Sequence, residues 1–187
     1  MTETAINKAS YEDLFRVPEN MVGEIIAGEL VVTPRPSRKH AYSASALGGE
    51  IVPPYQFGRG AGPGGWIILF EPEIMLGEHI IVPDLTGWRR DRFPDVEDTN
   101  WISVFPDWAC EILSPGTVRV DRVKKMPIYS QHSISHLWII DPTAKTLEVF
   151  KLKSGSWILL ESFAENDRVR VEPFQEAEID LGNLWLE

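Results

Sequence analysis

Apolar residues along the chain fall mostly into short period-two runs, with two stretches of helical spacing, and Pro or Gly punctuates the joins. Ser10-Tyr11-Glu12-Asp13 has the form of a helix start, with Ser10 as N-cap and Asp13 in the first turn, and that helix should end before Pro18. Glu24–Thr33 (EIIAGELVVT) predicts two short strands turning at Ala27-Gly28, and Pro34 and Pro36 then break the pattern. From Ser37 to Ile51 the chain is compatible with a helix whose inner face carries Ala44, Leu47 and Ile51. Gly58–Gly65 (GRGAGPGG) predicts a loop; it lacks the Lys-Ser/Thr ending of a phosphate-cradling loop and so has no nucleotide role.

Trp66–Met75 and His79–Trp88 predict the two arms of a hairpin joined by Leu-Gly-Glu. Arg89–Asn100 is charged and turn-rich, and Trp108–Leu113 (WACEIL) predicts a further strand. Thr117–Ser133 predicts a second long helix, which Pro127 must kink or shift. Leu137–Asp141 reads as a short buried strand, Leu147–Lys153 and Trp157–Glu161 as a hairpin around Ser-Gly, and Leu181–Leu186 as an apolar tail. This order predicts an α/β (α+β) class: one domain over residues 1–187, with helices packed on a mixed sheet.

Composition narrows the picture. The apolar and charged fractions, 43% and 25%, are those of a globular protein. There is no apolar run long enough to span a bilayer, and the N-terminal residues lack the basic start and apolar stretch of a secretion signal, so a cytoplasmic location is expected. The single Cys110 excludes an internal disulfide and a Cys-based zinc site, and its apolar neighbours make it a small core residue. The formal charge of −10 opposes indiscriminate nucleic-acid binding, but its distribution matters more than its sum. Eight acids against two arginines lie between Glu161 and Glu187, whereas eight acids and seven bases lie between Pro83 and Lys125.

Two carboxylates stand out because they occupy apolar strands. Asp84 follows Ile80 and Val82 at period two, and Glu111 shares a strand face with Ala109 and Leu113. An ionised carboxylate in such a setting needs a cation or hydrogen bonds, and two close together repel unless a metal holds them. Mg²⁺ takes one or two carboxylates plus waters and substrate oxygens. A strand-end acid satisfied by water or Arg is the plainer alternative. His79, His132 and His136 lack ligand spacing with one another, and no Ser–His–Asp arrangement is identifiable. Pro106-Asp107 reads as structural.

Pro83-Asp84, Glu111-Ile-Leu-Ser-Pro-Gly-Thr117, Asp121, Lys125 with Tyr129 four residues on, and His136-Leu-Trp-Ile-Ile-Asp141-Pro142 together resemble a large bacterial family of putative restriction endonucleases, long labelled a domain of unknown function, within the PD-(D/E)XK superfamily. Glu24 with Gly28-Glu29-Leu30, then Pro34, Pro36 and His40, and towards the C-terminus Leu147–Phe150 and Ile179-Asp-Leu-Gly, extend the resemblance over nearly the whole chain. The resemblance implies an αβββαβ core with extra hairpins at both ends. It also implies Mg²⁺, with Mn²⁺ as a substitute, held by Asp84, Glu111 and the backbone carbonyl of Ile112. The superfamily's simplest pattern has Lys two residues beyond the Glu, but position 113 is Leu; Lys125 matches the family's migrated Lys, and Lys124 is the fallback.

Glu24 reads either as an added carboxylate or as a strand-edge acid, and His40 either as a phosphate or water contact or as a helix start. Asp121 pairs with Lys125 at i,i+4 in preference to binding metal. Arg35, Arg38, Lys39, Arg119, Arg122 and Lys124 are candidate phosphate contacts. The implied function is a metal-dependent DNA endonuclease acting as a homodimer. A catalytically silent binding scaffold and a hydrolase of RNA or small phosphate esters are the alternatives.

Overall fold

Prolines at matched positions shape the molecule. In the computed structural model, which describes residues 8–93 and 99–187, the hairpin around Gly77 keeps one register along its length. Phe70 stands opposite Leu85, and Ile74 opposite Ile81. The same pairing sets Pro72 against Pro83 and Glu71 against Asp84. Neither proline has an N–H for the ladder, so both arms break there. Each arm becomes two strands: β3 (Trp66–Phe70) and β4 (Glu73–Leu76), then β5 (His79–Ile81) and β6 (Leu85–Arg89). The outer halves join one sheet and the inner halves another. The predicted hairpin is therefore real but is shared between two sheets, and Asp84 sits at the bend rather than within a strand.

The larger sheet has the order β11-β10-β9-β8-β6-β3. Its centre comprises β3, β6, β8 (Trp108–Ile112) and β9 (His136–Asp141). β3, β6 and β8 run antiparallel in turn, and β9 is parallel to β8. With α2 (Arg38–Tyr55) before it and a helix between β8 and β9, this is the αβββαβ order expected from the resemblance. β10 (Thr146–Lys153) and β11 (Ser156–Ala164) extend the sheet as the predicted C-terminal hairpin. The smaller sheet combines the N-terminal hairpin, β1 (Met21–Ile26) and β2 (Glu29–Pro34), with β5, β4 and the unforeseen β7 (Trp101–Ile102). The turn-rich reading of Arg89–Asn100 lies partly outside the described residues. A last pair, β12 (Arg168–Val169) and β13 (Ile179–Asp180), ties down the tail.

Strand alternation gives the large sheet two apolar faces. Trp108, Cys110 and Ile112 face α2 and the C-terminal tail, where Leu47, Ile51, Phe174 and Leu184 are buried. Ala109 and Leu113 face the small sheet and the second helix, among Ile74, Ile81 and Ile128. The result is three layers, and Glu111 shares the face of Ala109 as its strand position requires.

Both helices depart from their sequence readings. The Ser10 start is correct: α1 (Tyr11–Leu14) is one short turn in which the Ser10 N–H donates to Asp13 at 2.9 Å. α2 begins as expected, with Ser37 accepting the His40 N–H, but continues to Tyr55, taking Pro53 and Pro54 into its last turn. The Thr117–Ser133 helix contains a wide segment, Val120–Lys125, that runs into α3 (Met126–Gln131). There the Met126 N–H reaches back five residues to the Asp121 carbonyl. Loosening the coil ahead of Pro127 accommodates the missing N–H and the ring without breaking the helix. No helix among the described residues is long and apolar enough to cross a membrane.

His79 and His132 meet edge to face with centroids 6.0 Å apart, a neighbourhood their spacing in sequence does not suggest. His79 Nδ1 accepts the Ala27 N–H at 2.9 Å, which ties the β1–β2 turn to β5. Burial, with His132 adding to it, holds the His79 imidazole below its ordinary value. The folded state therefore takes up this proton at lower pH than the unfolded chain does, so stability falls as pH drops below about 6.5. Denaturant titrations at pH 8 and pH 5 should show a smaller pH effect for His79→Asn than for wild type. An equal effect in both proteins would refute this role.

Candidate active site

The ladder between β6 and β8 pairs Leu85 with Cys110; one step further, it sets Asp84 opposite Glu111. The two acids separated by 27 residues in sequence thus become neighbours across adjacent strands. At the bend, the Asp84 side chain takes the place of a ladder partner for β8: its Oδ2 accepts the Ile112 N–H at 2.7 Å. Its Oδ1 meets His40 Nε2 at 3.0 Å. His40 comes from the first turn of α2, so it is both the helix start and a site residue.

Around Glu111 the remaining groups converge from three elements. β1 supplies Glu24, the wide helical segment supplies Asp121 and Lys125, and α3 supplies Tyr129. Glu24, Glu111, Asp121 and Lys125 are only 3%, 1%, 3% and 4% exposed, so each must find its partner within the site. Lys125 Nζ lies 2.9 Å from Glu24, 3.3 Å from Glu111 and 3.7 Å from Asp121, and donates to the Val82 carbonyl at 3.1 Å. The Tyr129 hydroxyl donates to Glu111 Oε1, and the Val82 N–H donates to Glu24 at 2.8 Å.

Burial raises Glu111 well above the usual carboxylate range, with Lys125 pulling in the opposite direction. Burial likewise raises Asp121 to about 6, against the pull of Lys125. For Lys125 burial acts downward, but the acids around it, led by Glu111 and Glu24, overcome it and hold the ammonium charged. Burial also pulls His40 down, and the bond and charge of Asp84 reverse that and raise it.

These groups line one narrow cleft of about 50 Å³, which also includes Glu71, Ser114 and Thr117. That is room for an ion and a few waters. Five carboxylates, Glu24, Glu71, Asp84, Glu111 and Asp121, line it with His40 and Lys125, so acids outnumber bases. Hard oxygen donors with surplus charge are the set that Mg²⁺ or Mn²⁺ takes. Among the described residues no three His, Cys, Asp or Glu side chains converge as a ready-made cage. Asp84 and Glu111 are instead turned to His40, Lys125 and Tyr129.

Other sequence candidates divide. Lys124, the fallback for Lys125, points away and meets Glu29 at 3.6 Å, because adjacent helical residues diverge by about 100°. Arg122 pairs with Glu148, and Arg35 approaches Glu71 at 3.6 Å, so with Lys124 three candidate phosphate contacts have internal partners. Arg38, Lys39 and Arg119 are exposed. Asp107 is structural, as expected: it accepts the Arg89 N–H and pairs with Arg92.

Tyr129 and Glu71 have clearer parts here than sequence patterning suggests. Tyr129 stood out only as the residue four beyond Lys125. Glu71 has a left-handed backbone, φ 46°, and its N–H donates to the Asp84 carbonyl at 3.1 Å. Glu71 becomes visible only once the hairpin register sets Pro72 opposite Pro83.

Comparison with known proteins bears on the fold and the family. A solved structure described as a putative nuclease belonging to DUF820, from Anabaena variabilis ATCC 29413, superposes with a TM-score of 0.75 at 25% identity, covering 95% of this chain and 97% of that one. No curated protein matches the sequence. The family model Uma2, described as putative restriction endonuclease, matches residues 10–182. With the family model spanning almost the entire chain, the protein belongs to the Uma2 family of putative restriction endonucleases.

Proposed function

We propose that the protein is a metal-dependent DNA endonuclease that hydrolyses phosphodiester bonds. The observation that carries this reading is that Asp84, one residue before β6, lies opposite Glu111 of β8 in a cleft that Lys125 also lines. Asp84, Glu111 and the Ile112 carbonyl would hold Mg²⁺ or Mn²⁺, while Glu24 and Asp121 face Lys125. When bound, the ion would polarise the scissile phosphate and acidify a bound water.

The chain's own groups do the rest. The Ile112 N–H and His40 fix the orientation of Asp84, and Tyr129 fixes Glu111. Lys125, itself buried, brings a charged ammonium to the floor of the cleft, where it stabilises charge developing on the phosphate or orients the attacking water. Arg38, Lys39 and Arg119 offer exposed cations for the flanking phosphates. Cutting both strands requires two such sites, for which a two-fold homodimer is the simplest assembly.

Purified protein should nick or linearise plasmid DNA in Mg²⁺ or Mn²⁺, and Asp84→Asn and Glu111→Gln should each lower the rate by roughly a thousandfold or more. Cleavage undiminished in both variants would refute the assignment. Cleavage of RNA or a phosphate ester but not DNA would move the substrate. The chain's surplus negative charge supports one other reading, a silent scaffold, and absence of any Asp84-dependent metal binding would favour it.

A further inference from the structure

The nearest partners of the Lys125 ammonium are of two kinds, with Asp121 more distant at 3.7 Å. Two belong to a clamp built around one peptide unit. Glu24 Oε1 lies 2.9 Å from Nζ and accepts the Val82 N–H at 2.8 Å, while the Val82 carbonyl accepts from Lys125 at 3.1 Å. The third partner is Glu111, whose Oε1 and Oε2 lie 3.3 and 3.4 Å from the same nitrogen. The ammonium thus straddles the carboxylate that a divalent ion would need. Two cations sharing one buried carboxylate repel strongly.

Resting on the metal reading of this site, we propose that Lys125 is a resident counter-ion that competes with the divalent ion for Glu111. Glu24 is the positioning residue that retains the ammonium when the ion takes Glu111 over. The distances support this division of roles, since the clamp contacts are shorter than the Glu111 contacts. Glu24 Oε1 already serves both Val82 and Lys125, and the Tyr129 hydroxyl, donating to Glu111 Oε1, keeps that carboxylate in place while its cation changes. The site is then neutralised in two ways: by its own lysine when empty, and by metal with the lysine held alongside when loaded. The second arrangement is the one that leaves an ammonium free to face a phosphate.

Mn²⁺ binding, followed by loss of the free-ion electron paramagnetic resonance signal with full-length protein and no DNA, tests the competition. Lys125→Met should bind Mn²⁺ about tenfold tighter than wild type or more, the effect of removing one adjacent positive charge. If that variant does not fold, the charge-balanced pair Glu24→Gln with Lys125→Met replaces it, and it should still bind severalfold tighter than wild type. Unchanged or weaker binding in Lys125→Met overturns the proposal. Weaker binding in the double variant also overturns it, because Glu24 would then be a ligand rather than a clamp. Asp84→Asn separates the two ideas. If Mn²⁺ binding is indifferent to Asp84→Asn, or no form of the protein binds Mn²⁺, the metal reading fails and the proposal with it. If binding depends on Asp84 but ignores Lys125, only the proposal fails.

Discussion

Replacing Lys125 by Met should destabilise the metal-free protein by about 3–5 kcal/mol, the usual effect of removing one partner from a buried ion pair. The reason lies in what remains. Glu24, Glu111 and Asp121 would stay buried without their shared cation, with only hydrogen bonds from Val82, Tyr129 and Thr117 left to serve them. Protonation would offset part of the cost, since burial already raises Glu111 and Asp121. Chemical denaturation near neutral pH should therefore show a large loss for Lys125→Met and a smaller one when Glu24→Gln accompanies it. Saturating Mn²⁺ should return part of the lost stability, because a ligand bound only by the folded state stabilises that state. If Lys125→Met is as stable as wild type without metal, the ammonium does not neutralise these acids.

Phe174→Ala should be comparably damaging, at about 3–5 kcal/mol, for a different reason. Phe174 is fully buried on the sheet face opposite the acids. Its ring centroid lies 4.7 Å from Tyr55, 4.9 Å from both Trp66 and Trp108, and 5.5 Å from Trp138. Truncation would leave a cavity lined by four large rings held on α2, β3, β8 and β9, where little can collapse inward. The measured drop should exceed 2 kcal/mol; a drop below 1 kcal/mol would mean that the tail contributes little to this face. Because Trp108 and Glu111 share β8, a looser aromatic layer should also lower cleavage, although Phe174 touches no acid.

The strands were legible because apolar alternation reports burial directly. WACEIL revealed both its faces, and an acid on one of them was conspicuous. Asp84 was conspicuous for the same reason, although its meaning depends on Pro72 facing Pro83, a match that only the hairpin register reveals. Glu24 was harder. It lies in a hairpin strand whose alternation allows an edge position as readily as a central one, and its depth comes from β5 pairing on its other side. Tyr129 was obscure because an aromatic on a helix face normally reads as core. The same non-local folding hid the His79–His132 contact.

The loosened coil ahead of Pro127 has a consequence for how such helices are read. Residues four apart on a regular helix drift around its axis by about 40° at each step. An under-wound stretch drifts the other way, so Asp121, Lys125 and Tyr129 fall into one column when the first step crosses it and the second does not. A helical-wheel projection at constant pitch spreads these three side chains apart, whereas in the folded protein they stand as a single file against β8.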